Sequence, residues 1–241
     1  MKPTTPLSMV VYGPSGVGKT WLAMTAPAPR LFLDVEGRSR FAVRRGGTAG
    51  WWDPTEPIPE DAAKWDTTVV TIRTIDTLSA AWKVLAKEDH PWKSVVIDSL
   101  TEAQKRMQDA LTGSAPLQLQ DWGVLLRKME AMVRSFRDLT EHPERPLDLV
   151  LFTAMEAVNE SDGVRRPLLQ GQIQNTLPYY VDVCGFLGVV TREDTTLERR
   201  LCIQPSSRWV AKDATDILTR HFGSSIPDPN LETIWNIVQG D

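Results

Sequence analysis

Two cysteines and three histidines are all the soft metal-ligand chemistry these 241 residues contain. Cys184 and Cys202 lie in apolar, strand-like segments, and no Cys/His cluster has zinc spacing. That argues against a zinc domain, and because a cytosolic disulfide would be unusual the pair reads as buried free thiols. No apolar run reaches the ~18 residues of a membrane span. Lys2 is not followed by the apolar stretch of a signal peptide. The expectation is a cytoplasmic protein with no membrane partner. A strong charge of one sign is also missing: the formal net charge of −4 argues against a strongly basic nucleic-acid binder, while leaving room for a local basic surface. Repeats and low-complexity tracts are absent. Apolar content of 41% and charged content of 24% are ordinary, and the length suits one substantial core. A single domain over 1–241 is predicted.

Against this plain background one stretch stands out. Gly13, Pro14, Ser15, Gly16, Val17, Gly18, Lys19 and Thr20 match G-x-x-x-x-G-K-[ST] in full. An apolar strand, Leu7 to Tyr12, enters the loop, and a helix is predicted to continue through Trp21 to Thr25. Glycines let the backbone N–H groups converge on a polyphosphate. Lys19 is expected to reach the β- and γ-phosphates of ATP, and the Thr20 hydroxyl to hold Mg²⁺.

Further β-type runs follow at Leu31–Val35, Thr68–Ile72, Ser94–Ile97, Leu147–Thr153, Cys184–Thr191 and Leu197–Ile203. Helical periodicity separates the earlier ones: Leu78, Ala81, Trp82 and Leu85; then Leu100, Ala103, Met107 and Leu111 before a Gly113 stop; then Trp122 to Phe136. Alternating strands and helices predict an α/β fold with a parallel sheet. The last two runs predict an antiparallel hairpin at its C-terminal edge. Residues 46–66, with Trp51, Trp52 and Trp65, read as a surface excursion partly anchored by tryptophan. Residues 158–166 read as a mobile loop, and 214–241 as a short helical tail.

Two carboxylates stand where nucleotide chemistry needs them. Ser94–Asp98 is an apolar strand ending in an acid, and ligands of parallel sheets gather beyond the carboxyl ends of strands. Asp98 is a candidate to complete Mg²⁺ coordination; the alternative is that it, or Ser99, caps the helix beginning near Leu100. Leu31–Glu36 offers Asp34 and Glu36 on one face by period-two alternation. Glu36 either activates water or pairs at the surface with Arg38 or Arg40. Basic segments occur at Arg38, Arg40, Arg44 and Arg45, at Arg165 and Arg166, and at Arg199, Arg200, Arg208 and Lys212. Each alone is more often a solvated face than a site.

The ordered set GPSGVGKT, LFLDVEG, SVVIDSL and LVLFTAME resembles the RecA-like ATPase core over roughly residues 7 to 212. It is more closely similar to compact phage-encoded recombinases of the Sak-four group, associated with single-strand annealing. The resemblance implies a RecA-like P-loop NTPase and assigns Glu36 to water activation. It places DNA-contacting loops at parts of 113–120 and 158–174, with Arg165, Arg166 and Gln172 as candidates beside Gln170, Gln174 and Asn175. Tyr179 and Tyr180 read as core or interface rather than base-stacking groups. A cation supplied to a neighbour's ATP would come from Arg200, Arg208 or Lys212, with Arg199 in the same run. Two departures stand out. Met155, followed by Glu156, replaces the polar sensor of the fourth motif strand. Few residues precede the first strand, so self-assembly is expected through the core surface.

The leading expectation is an ATPase that binds single-stranded DNA and promotes annealing or recombination, as a homo-oligomer in the cytoplasm (of a host, if phage-encoded), with a single-strand DNA-binding protein as a further partner. A nucleotide kinase and a nucleotide-dependent interaction protein of weak turnover are the alternatives.

Overall fold

The computed structural model describes residues 5–44 and 47–240; Lys2, Arg45, Gly46 and Asp241 lie outside the described residues. The first half of the chain runs β1 (Leu7–Gly13), α1 (Lys19–Ala23), β2 (Arg30–Asp34), α2 (Ser39–Val43), β3 (Ala49–Trp51), β4 (Thr67–Thr71), α3 (Ile75–Lys87), β5 (Ser94–Asp98) and α4 (Leu100–Thr112). The second half runs α5 (Leu119–Arg137), β6 (Leu149–Val158), β7 (Arg165–Pro167), α6 (Ile173–Thr176), β8 (Val183–Thr191), β9 (Leu197–Cys202), β10 (Lys212–Asp213), α7 (Ile217–Phe222), β11 (Ser225–Pro227) and α8 (Leu231–Gln239).

One sheet takes the order β11-β9-β8-β1-β6-β5-β2-β4-β3. Strands from β8 to β3 along that order pair in parallel, and β9 and β11 complete an antiparallel edge. This is the mostly parallel α/β sheet with an antiparallel C-terminal edge expected from the sequence, with helices on both faces. β6 lies between the P-loop strand β1 and the Asp98 strand β5, so a cleft forms where the carboxyl ends of β1, β5 and β2 meet.

The core follows from strand alternation. Met9 and Val11 face one way and pack with Leu22 of α1 and with Leu231, Ile234 and Val238 of α8. Val10 and Tyr12 face the other way, toward Leu78 of α3, Met107 of α4 and Met129 and Phe136 of α5. Thr74 caps α3 and Ser99 caps α4 through their side-chain oxygens. Gly113 ends α4 with φ of 61°, as its place after the last apolar residue predicts.

Two expectations about organisation need correction. The excursion at 46–66 contains β3, which pairs in parallel with β4 and forms the sheet's far edge. Its tryptophans do anchor it. Trp52 is buried against Trp92, and the Trp65 ring occupies the space a Cβ on Gly50 would need. Residues 158–166 are not a loose loop. β6 continues to Val158 and returns through a turn to β7, and the backbone groups of Ala157 and Val158 pair with Arg166 and Arg165. The C-terminal segment carries α7 and α8, which contribute fully buried side chains to one face of the core.

Candidate nucleotide site

β1 is buried along its whole length, and the chain turns at its end into the glycine-rich loop. At Gly13 a Cβ would lie 2.2 Å from the Leu187 carbonyl oxygen of β8, so only glycine permits this approach. Gly16 and Gly18 take φ of 80° and 101°, the left-handed region that glycine enters without strain. Helix α1 then begins at Lys19. The Lys19 ammonium is buried and donates to the Gly13 and Pro14 carbonyls, both at 2.9 Å. Burial lowers its pKa, while Asp98, Glu36 and Glu156 oppose that shift.

Thr20 and Asp98 meet across the sheet: Thr20 Oγ1 donates to Asp98 Oδ2 at 2.8 Å. Thr153 of β6 donates to Oδ1 of the same carboxylate. Asp98 is 3% exposed, and burial pushes its carboxyl up to about 6. The two threonine hydroxyls pull it down, and Glu36 and Asp34 push it up. The cap of α4 is Ser99, whose hydroxyl accepts from Glu102 N, so Asp98 is not used as the cap.

β2 stops at Asp34, which folds the following turn. Its carboxylate accepts from Gly37 N at 2.7 Å, Arg38 N at 3.2 Å, Ser39 N at 3.0 Å and Ser39 Oγ at 2.5 Å. Val35 N and Glu36 N both donate to the Asp98 carbonyl, which fastens the turn to the end of β5. Glu36 is thereby held beside the loop, with Ser99 Oγ donating to its Oε1 at 2.7 Å. No ion pair joins Glu36 to Arg38 or Arg40 among the described residues. A cleft of about 200 Å³ results, lined by the P-loop, Glu36, Arg38, Asp98 and Met155. A second recess of about 220 Å³ shares Glu36, Arg38 and Met155 with it and continues toward Lys105.

Met155 faces this cleft, whereas Glu156 points to the other side of β6, where its Oε2 lies 3.4 Å from Arg165 Nε. The polar group that β6 does send toward the Asp98 carboxylate is Thr153, overlooked in the sequence although it ends the apolar run Leu149–Phe152. Arg199 was also overlooked as a cis element. From β9 its Nε donates to the Val17 carbonyl at 3.0 Å, and it packs where a Gly18 side chain would be. A contact across 182 residues leaves no local sequence signal.

The remaining candidates lie outside the cleft. Arg166 is held by Asp162 at 2.6 and 3.0 Å within the β6–β7 turn. Gln172 is exposed at the start of α6, and Gln170 is tied to Gln104 and Gln108 of α4. Tyr180 packs, with its hydroxyl 2.9 Å from Glu130, whereas Tyr179 is 80% exposed, contrary to a core reading. Lys212 does not project as a free cation. Its ammonium donates inward to the Pro178 and Val181 carbonyls at 3.0 and 2.8 Å. Arg200 pairs with the buried Glu198 at 2.5 Å, and Arg208 is exposed. Both cysteines are free, as expected, and burial pushes the Cys184 thiol up to about 12. No helix among the described residues is long and apolar enough to cross a membrane.

Residues 5–215 match a family described as an AAA domain. No curated protein matches the chain. Among solved structures, the flagellar accessory protein FlaH from Methanocaldococcus jannaschii is similar at 6% identity and a TM-score of 0.40, over 81% of this chain and 76% of that one.

Proposed function

The chain belongs to the AAA-domain family of P-loop ATPases, and from that premise we propose a magnesium-dependent ATPase that binds single-stranded DNA and promotes its annealing or recombination. One observation carries the catalytic part. Lys19, Thr20, Asp98 and Glu36, drawn from three separate segments, line a single cleft at the mouth of the glycine-rich loop. The donor set suits Mg²⁺. A hydroxyl and a carboxylate stand 2.8 Å apart, and no cage of three His, Cys, Asp or Glu exists among the described residues. Mg²⁺ is typically held by one or two carboxylates together with substrate phosphates and water. Thr20 would bind it directly and Asp98 through water. When bound, the ion neutralises phosphate charge.

The chain's own residues account for the rest. The loop N–H groups and Lys19 hold the β- and γ-phosphates. For that, Lys19 leaves the Gly13 and Pro14 carbonyls. Ser99 fixes one oxygen of Glu36, leaving the other to accept a proton from the attacking water. Arg38, on the same turn, brings positive charge to the cleft wall. The DNA part is supported by the β6–β7 hairpin. It extends the strand that carries Thr153 and Met155 past the cleft, and it bears Arg165. Self-assembly through the core surface, with a partner that coats single strands, belongs to the same proposal.

The test is ATP hydrolysis with and without oligothymidylate. Release of inorganic phosphate, accelerated by the strand, is expected. Unchanged turnover would remove the DNA part. Transfer of the γ-phosphate to a nucleoside instead would make the recess beside Glu36 an acceptor pocket and the protein a kinase.

A further inference from the structure

A separate pocket of about 610 Å³ lies beside the P-loop, where β8 and β9 meet the segment that follows β9. That volume suits a nucleotide-sized ligand. Its charge runs against that of the molecule. The chain carries a net −4, yet the wall presents Arg165, Arg200 and Arg208 against Glu156 alone. Of these, Arg208 and Arg165 are incompletely neutralised. Arg208 has no side-chain partner among the described residues; its backbone N–H donates to Ser206 and its carbonyl accepts from Arg165 N at 2.8 Å. Arg200 meets the Glu198 carboxylate at 2.5 Å and shares it with Arg192, which also meets Asp228 at 3.4 Å. Arg165 meets Glu156 at 3.4 Å, longer than a strong charge-assisted hydrogen bond.

The pocket also has a flat apolar surface. Trp209 is half-buried and stacks on Phe186, with centroids 5.4 Å apart and planes at 14°. Its indole nitrogen is committed to the Gln204 carbonyl. What Trp209 offers the pocket is therefore its ring. An aromatic ring beside a cluster of arginines, among them Arg208 with no acidic partner, suits a base and its phosphate.

We propose that this pocket takes one nucleotide unit of a single-stranded nucleic acid, with the base on Trp209 and the phosphate on Arg208 and Arg200. The proposal rests on the strand-binding reading above and gives it a location. It also turns Arg200 and Arg208 toward the chain's own pocket rather than a neighbour's nucleotide. Occupancy bears directly on ATP. Pro14 is both a pocket wall and the carbonyl that holds Lys19. Tyr12, just before the loop, reaches the Arg165 and Val210 carbonyls at 2.9 and 2.6 Å.

The experiment is fluorescence anisotropy of a labelled oligothymidylate on the full chain, across a salt series, with thymidine monophosphate titrated separately against tryptophan emission. Arg208→Glu is expected to weaken strand binding at least tenfold and to lower the salt slope by about 1. Trp209→Ala is expected to weaken it roughly 5- to 100-fold. Arg220→Glu, on α7 and paired with Asp216, is expected to bind as wild type. Arg208→Glu is a surface change, so its result stands even if Trp209→Ala folds poorly. Wild-type affinity in Arg208→Glu overturns the pocket while leaving strand binding intact. If wild type ignores the oligonucleotide but the monophosphate quenches emission that Trp209→Phe lacks, the pocket stands with a free nucleotide as its ligand and the strand reading falls. No response to either ligand overturns both.

Discussion

Asp98 is a carboxylate with almost no exposure, held by two threonine hydroxyls. Its folded pKa of about 6 exceeds the ordinary 3.8, so the folded chain binds this proton more tightly than the unfolded one. Stability contributed by this group therefore falls as pH rises from about 4 to 6. The full cost, on the order of 3 kcal/mol, applies above that range. Asp98→Asn is expected to be at least as stable as wild type at pH 7.5, and to flatten the pH dependence of urea unfolding between pH 4 and 7. Magnesium-dependent turnover should fall by about 100-fold or more. A variant less stable than wild type at pH 7.5 would show that the ionised carboxylate supports the fold. Glu36→Gln keeps the Ser99 hydrogen bond and loses the base. We expect kcat to fall by about 10²–10⁴ with nucleotide affinity within a few-fold of wild type, measured by steady-state kinetics and direct titration.

At the scale of elements, the site depends on contacts between segments that are far apart in sequence. β8 presses its Leu187 carbonyl against Gly13, and the backbone cannot yield without shifting β1 against β8. Gly13→Ala is expected to destabilise by about 1–3 kcal/mol or more, lowering the thermal midpoint by roughly 2–4 °C per kcal/mol for a chain of this size. An unchanged midpoint would mean the strands slide freely. Arg199 braces the loop from behind, on a hairpin whose other contacts include the Asp228 backbone N–H donating to the Arg199 carbonyl at 2.8 Å. Arg199→Met should raise the KM for ATP several-fold while kcat changes less, since the phosphates would have to order a looser loop. A fall in kcat at constant KM would assign Arg199 to the transition state instead.

At the scale of the whole molecule, both sheet faces are covered, and the last helix belongs to the cover. Leu231, Ile234 and Val238 are buried beside α1. The Leu231 and Glu232 amides donate to Thr25, at the end of the P-loop helix. Three buried aliphatic side chains are worth about 1.5–3 kcal/mol each, together comparable to a domain's total stability of roughly 5–15 kcal/mol. A chain ending at residue 228 is expected to lose cooperative thermal unfolding and nucleotide binding together. A sharp, unshifted transition in that truncation would make α8 dispensable.

The amino-acid sequence by itself determined the longer strands, the main helices and the nucleotide loop, but not the short strands β3, β7, β10 and β11, because the former depend on local periodicity and on glycine's freedom at fixed spacings. It also marked Asp98 and Glu36, since each sits at the end of an apolar run that can only be a buried strand. Tertiary structure alone decided which polar groups hold those carboxylates: Thr153 on Asp98, Ser99 on Glu36, and Arg199 behind Val17. It decided as well that Lys212 turns inward, that residues 158–166 pair as a hairpin, and that the final helix closes the core. Those outcomes depend on which distant segments the sheet order brings side by side, and no periodicity within one segment encodes its neighbours.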